Sequence, residues 1–191
     1  MKDARTRLFV AIDPPDRARR KIARIEQDLP GARWTREEQL HVTLRFLGTV
    51  DASDVPRIGD ALEGAAVPAF SLTAQGFGVF PSFRSPRVLW VGLSPVPPLA
   101  ALHAEIETRL APLSAIEADE NAFSPHMTLA RLTRTPAPTV RDWMAQRERF
   151  TEGPWDVETF FLYASTLTPG GAIHRRLREY ALAPAGRRAV R

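Results

Sequence analysis

The pattern His-x-Thr-Leu is written twice in this chain, in HVTLRFLG from His41 and in HMTLARL from His126, although the chain has only four histidines. With ordinary threonine and leucine usage, a given histidine carries that pair at those offsets about one time in a hundred. The repeat points to two similar structural units, and it favours folds that can bring two equivalent strands together. In a strand, residues i and i+2 share a face. His41 and Thr43 then project from one side while Val42 and Leu44 anchor the other, and His126 and Thr128 repeat the display against Met127 and Leu129.

The surrounding pattern supplies strands and helices in alternation. RLFVAID (Arg7 to Asp13) reads as a buried strand, and the prolines that follow open an amphipathic helix through about Leu29. Leu40 to Leu47, Phe70 to Val79, Arg87 to Leu93 and Met127 to Leu132 are strand-like, as is Asp156 to Thr166. Helical spacing appears over Asp51 to Ala66, Pro98 to Leu113 and Asp142 to Arg149. TRTPAPT (Thr133 to Thr139) reads as a loop, TPGGA as a turn, and Ile173 to Leu182 fits either a helix or a strand. The expected fold class is α+β, with residues 1–191 forming a single domain of two similar lobes and a frayed tail from about 184 to 191.

Composition excludes several chemistries. The chain has no cysteine, so disulfides, thiol nucleophiles and thiolate metal sites are all ruled out. The N-terminal apolar run is cut short by Asp13 and two prolines, which fits neither a signal peptide nor a membrane span, so a cytoplasmic protein is expected. Net charge is +4, and arginine far outnumbers lysine, a bias suited to bidentate phosphate contacts, although genomic composition accounts for it equally well.

Two histidines and two threonines facing one cleft suit phosphoryl chemistry. Imidazole titrates near pH 6.5, so one ring can be neutral and accept a proton while its partner is charged and donates one. Threonine hydroxyls supply donors for phosphate oxygens. No metal and no cofactor is called for, since neither His41 nor His126 has a third ligand at a telling spacing. His103 lies in a helical pattern and is expected to be structural, and His174, between Ile173 and Arg175, is expected at the surface unless its segment folds back over the cleft.

Taken with their flanks, the two motifs resemble the paired signature of the two-histidine phosphoesterase superfamily, in its branch of RNA 2′,3′-cyclic phosphodiesterases, also called 2′-5′ RNA ligases. The resemblance extends over RLFVAID, Arg33 to Gly48, GFGVFP, PRVLWVGL, FSPHMTLAR and LYASTLTPGGAIHRRL, nearly the whole chain. It implies a bilobal fold with two antiparallel sheets lining a central cleft and metal-free opening of an RNA-terminal 2′,3′-cyclic phosphate to a 2′-phosphomonoester. His126 would be the proton acceptor, His41 the proton donor, and Thr43 and Thr128 the phosphate contacts. Arg131 ends the second motif as in many relatives and is a further phosphate candidate, although strict alternation puts it on the face opposite Thr128. His174 stands where many relatives carry tyrosine.

Phe9, Trp34 and Phe80 are candidates to stack on the terminal base, with core packing as the alternative. The expected partner is RNA bearing a cyclic phosphate end, or a small cyclic or 2′-5′ linked nucleotide. A monomer is expected because both half-sites lie in one chain. A ligase shares the same site, and a non-catalytic RNA-binding module is the alternative of another class.

Overall fold

The computed structural model describes residues 5–25, 28–117, 122–169 and 171–184. The tail expected to fray therefore lies, beyond residue 184, outside the described residues. In chain order the elements are β1 (Arg5–Ile12), α1 (Asp16–Ala23), β2 (Ala32–Trp34), β3 (Val42–Asp51), α2 (Val55–Ala61), β4 (Phe70–Phe80), β5 (Val88–Ser94), α3 (Val96–Leu110), β6 (His126–Leu132), α4 (Ala137–Ala145), β7 (Thr151–Val157), β8 (Thr159–Thr168) and β9 (Gly171–Ala181). No helix among the described residues is long and apolar enough to cross a membrane.

The strands run antiparallel in the order β7-β4-β5-β6-β3-β1-β8-β9, with β2 added beside β6. Two sheet halves, β7-β4-β5-β6 and β3-β1-β8-β9, are thus continuous, joined through the register pair Val42 and Met127. They do not divide the chain at its midpoint. β8 and β9, from the C-terminal third, complete the half that β1 and β3 begin.

β1 explains how the halves are packed. It lies between β3 and β8 and is covered on both faces, which is why RLFVAI is a continuous apolar run rather than an alternating one. Leu8, Val10 and Ile12 enter the main core, together with Ile22 of α1, Ile58 of α2 and Leu99, Leu102 and Ile106 of α3. Phe9 and Ala11 point the other way and form a smaller cluster with Phe161 and Tyr163 on the cleft side.

Several sequence expectations need correction. The first helix stops at Ala23 rather than near Leu29: the Ile25 N–H already reaches the Ile22 carbonyl in a tightened turn, and Pro30 pushes Leu29 toward extended geometry. The second helix covers only Val55–Ala61, because β3 runs on to Asp51 and Gly64 takes a positive φ of 69°. α4 begins at Ala137, inside the expected loop, because Pro136 precedes the helix and Pro138 falls in its first turn, where no intrahelical N–H is lost. The single strand expected over Asp156 to Thr166 is two. β7 alternates at a sheet edge beside β4, and after Glu158 the chain crosses to the other half, where β8 is buried between β1 and β9. The ambiguous last segment is β9, paired to β8 along its length.

Candidate active site

The two motifs meet where the sheet halves join. Val42 and Met127 face each other in an antiparallel ladder, so the same register sets His41 across from Thr128 and Thr43 across from His126. These four side chains share the face opposite the buried Val42 and Met127, and all four line one cleft of about 400 Å³. The cleft is also walled by Arg7, Arg33, Arg36 and Arg131.

Each motif leucine has a geometric role. In β3, Val10 pairs with Arg45 and Ala11 with Thr43, leaving Leu44 as an extra residue in the ladder. In β6, Leu89 pairs with Ala130 and Trp90 with Thr128, leaving Leu129 as the extra one. Both are β-bulges, and both leucines are buried. A bulge shifts the alternation by one, so the residue three beyond the threonine, rather than two, returns to the cleft. That residue is Phe46 in β3 and Arg131 in β6, and both line the cleft. The expectation that alternation turns Arg131 away from Thr128 is therefore corrected, and the bulge is the reason. Arg45, displaced to the other side, is 6% exposed and ion-paired with Glu107 of α3. His103 of α3 is structural, as expected: its Nδ1 lies 3.0 Å from the carbonyl of the bulged Leu44, to which it donates, and its ring stacks on Phe123.

The two motif histidines are held alike. His41 Nδ1 lies 2.7 Å from the Gln39 carbonyl, and His126 Nδ1 lies 2.8 Å from the Ser124 carbonyl. A carbonyl only accepts, so in each ring Nδ1 carries the proton and Nε2 is left to accept when the ring is neutral or to donate when it is charged. Burial pushes His41 down to about 4, the Gln39 carbonyl opposing it and the His174 ring adding to it. His126 is also lowered by burial, against the pull of the Ser124 carbonyl. Both rings are therefore neutral near pH 7.

Aromatic packing fixes ring position. Phe9 lies 5.0 Å from His41 by ring centroids and stacks on Tyr163 at 5.0 Å. The Tyr163 hydroxyl donates to Asp13 at 2.6 Å, and Arg176 ion-pairs with the same carboxylate, bracing the stack from below. On the other half, Phe80 meets His126 edge-on at 4.9 Å, and the Trp90 indole lies beside both. Of the aromatics expected to stack on a base, Phe80 thus supports His126 from outside the cleft lining, Phe9 is 3% exposed beneath His41, and Trp34 lines the cleft.

Sequence reasoning passed over Phe46, which is 55% exposed in the cleft, and Gln39. Gln39 holds His41 through its carbonyl while its side-chain amide donates to the Ala172 carbonyl of β9 at 2.5 Å, tying the β8–β9 hairpin to the histidine. His174, expected at the surface unless its segment folds back, does fold back. It lines the cleft, its ring centroid is 5.3 Å from that of His41, and its Nδ1 is buried without a hydrogen-bond partner among the described residues. No signal of spacing identifies it, because its placement depends on β9 pairing with β8. Among the described residues no group of three His, Asp or Glu side chains is arranged to hold a metal ion.

Comparison with known proteins finds relatives that span most of the chain. RNA 2′,3′-cyclic phosphodiesterase of Thermotoga maritima is 34% identical over 181 residues, spanning 91% of this chain and 94% of that protein. The protein of the same name from Archaeoglobus fulgidus is 34% identical over 177 residues, spanning 91% and 99%. The crystal structure of E. coli LigT complexed with 3′-AMP superposes with a TM-score of 0.72 at 29% identity, covering 94% of this chain and 99% of that one. The profile of the 2′-5′ RNA ligase superfamily matches residues 14–168, a span that contains both motifs, and this chain belongs to that superfamily of two-histidine phosphoesterases.

Proposed function

We propose that this protein hydrolyses RNA-terminal 2′,3′-cyclic phosphate to a 2′-phosphomonoester by acid–base catalysis between His41 and His126. The observation that carries the reading is the cross-strand set of two His/Thr pairs in one arginine-walled cleft, each histidine with Nε2 free of its carbonyl tether. The names of the relatives support the same activity.

In this reading the phosphate lies between the two rings. His126 Nε2 takes a proton from water as the water oxygen bonds to phosphorus. The bond from phosphorus to O3′ breaks, and protonated His41 gives its Nε2 proton to O3′, leaving a free 3′ hydroxyl and a phosphate on O2′. Thr43 and Thr128 donate to non-bridging oxygens, and Arg131 neutralises their charge. Since burial keeps His41 neutral in the free protein, its proton is taken up with the substrate: an anion beside a buried imidazole stabilises the charged form. No metal takes part in this scheme.

Incubation of EDTA-treated protein with a short RNA ending in a 2′,3′-cyclic phosphate tests the proposal. Clean 2′-phosphate, lost in both His41→Ala and His126→Ala, is the expected outcome. Formation of 3′-phosphate, or activity restored only by a divalent ion, overturns the scheme. The superfamily's name favours one further reading, that the same site joins ends through a 2′-5′ linkage: a 5′ hydroxyl takes the place of water, gives its proton to His126 as its oxygen bonds to phosphorus, and O3′ leaves with the proton from His41.

A further inference from the structure

A second concavity of about 570 Å³ opens where β5 begins and β6 ends. It is lined by Arg84, Ser85, Arg87, Thr133, Arg134 and Thr135 among others, and by no carboxylate. Arg84, Arg87 and Arg134 are exposed and make no ion pair among the described residues, so three cations share one hollow without a counter-charge. Arg134 has a φ of 58°, the one positive value at a non-glycine position among the described residues. That conformation is disfavoured for a residue with a Cβ and persists only where its surroundings impose it. Here the Thr133 N–H donates to the Gly31 carbonyl and the Thr135 hydroxyl to the Pro30 carbonyl, each at 2.8 Å, clamping the backbone on both sides of Arg134.

The hollow adjoins the catalytic cleft along β6. Arg131 lines the cleft and is paired in register with Arg33 on one side and Val88 on the other. The next residue, Leu132, lines the hollow, and its N–H donates to the Arg87 carbonyl at 2.8 Å. Cations thus run from Arg33 and Arg131 around the strand ends to Arg87, Arg84 and Arg134. Beside Arg84, Phe83 is 37% exposed, with Arg141 over its ring at 5.4 Å. Basic side chains interleaved with an exposed aromatic ring are the surface chemistry that tracks single-stranded nucleic acid.

We propose that this hollow is a second subsite, which binds backbone phosphates of the RNA leading into the cleft. The inference rests on the phosphodiesterase reading, because a strand whose 3′ end reacts at His41 and His126 extends away from the cleft only in the 5′ direction. The subsite makes the protein prefer an RNA strand over a mononucleotide carrying the same cyclic phosphate.

The test compares wild type with the triple variant Arg84→Ala, Arg87→Ala, Arg134→Ala, and with Arg17→Ala, Arg20→Ala, Arg24→Ala as a control that removes equal charge from exposed positions on and beside α1. For a ten-nucleotide RNA ending in a 2′,3′-cyclic phosphate, kcat/KM of the first variant should fall 10- to 100-fold at low salt. Its dependence on log salt should flatten by about 2, at about 0.7 for each phosphate contact on a single strand. Hydrolysis of a 2′,3′-cyclic mononucleotide should stay within twofold, and the control should lose little on either substrate. Equal losses on both substrates, no loss on the RNA, or an equal loss in the control overturns the subsite. Fluorescence anisotropy with the same RNA ending in a 2′-phosphate reads binding without turnover. If neither cyclic substrate is hydrolysed, the phosphodiesterase reading fails, while a tenfold weaker affinity in the first variant alone still upholds the subsite and an unchanged affinity removes it.

Discussion

Val42 of β3 and Met127 of β6 face each other across the antiparallel ladder, and each is the residue that follows a cleft histidine. The distance between the two imidazoles is therefore set by backbone pairing at the seam of the sheet rather than by flexible loops. Groups held on paired strands reach the geometric precision that acid–base catalysis across one phosphate demands.

Replacing either histidine should remove most of the activity without unfolding the chain. His41→Ala and His126→Ala are each expected to lower kcat/KM by about 10²–10⁴-fold on an RNA with a cyclic phosphate end. The double variant should be little worse than either single one, because the rings act on the same transition state. Steady-state kinetics with circular dichroism as a folding control decides this; multiplicative losses would show that the rings work independently.

The pH profile should lie on the acid side. Burial lowers both histidines in the free protein, His41 to about 4, and kcat/KM reports groups of the free enzyme. Its bell should therefore be centred below pH 6.5. The bound phosphate anion raises both imidazoles, so the optimum of kcat should lie at higher pH than that of kcat/KM. A kcat/KM optimum above pH 7.5 would contradict the burial described for these rings.

Stability should respond to the same group. His41 has a folded value near 4 against an ordinary 6.5, so its neutral form favours the folded state above pH 6.5 and that contribution is lost as pH falls through about 4. Melting temperature should drop over this window, and His41→Asn should show a shallower drop. An identical slope in the variant would assign the acid sensitivity to other groups.

Arg131→Ala tests the bulge at Leu129. If that bulge returns Arg131 to the phosphate, the variant should lose about 10- to 100-fold in kcat/KM, the usual worth of a hydrogen bond to a charged group. Arg131→Lys should recover only part of it, because an ammonium lacks the planar fork. Unchanged kinetics in the alanine variant would mean that the side chain lies in the cleft without touching substrate.

Gly78→Ala probes the support of His126. A Cβ at Gly78 would run into the Trp90 indole, which packs with Phe80 against His126. Overpacking of this kind typically costs about 1–3 kcal/mol. The variant should melt earlier and lose activity together, whereas a stable, fully active Gly78→Ala would show that Trp90 moves without disturbing the imidazole.

The amino-acid pattern made the four motif residues of the cleft more legible than the topology. His41, Thr43, His126 and Thr128 were readable because duplication and two-residue periodicity are both local. Arg131 and Phe46 were not, since their side depends on bulges that appear only once β3 and β6 have partners. The leucine of each motif looked like core filling, yet it also occupies the bulge. The division between β7 and β8 was hidden for the same reason: nothing within residues 151–166 records that the chain leaves β4 and goes to β1. His174 and Gln39 join the site through the β8–β9 hairpin, a contact between segments far apart in the chain.

The interleaving of the two sheet halves also bears on how the molecule is made. During synthesis β1 and β3 emerge early and can pair, but the other flank of β1 is covered by β8, which begins at Thr159. An apolar strand edge thus stays open while residues 52–158 are translated, a state that invites association with other nascent chains. The cleft closes late, when the last hairpin docks. A ribosome halted before that point would carry both His-x-Thr motifs on a chain whose first half-sheet still lacks two strands.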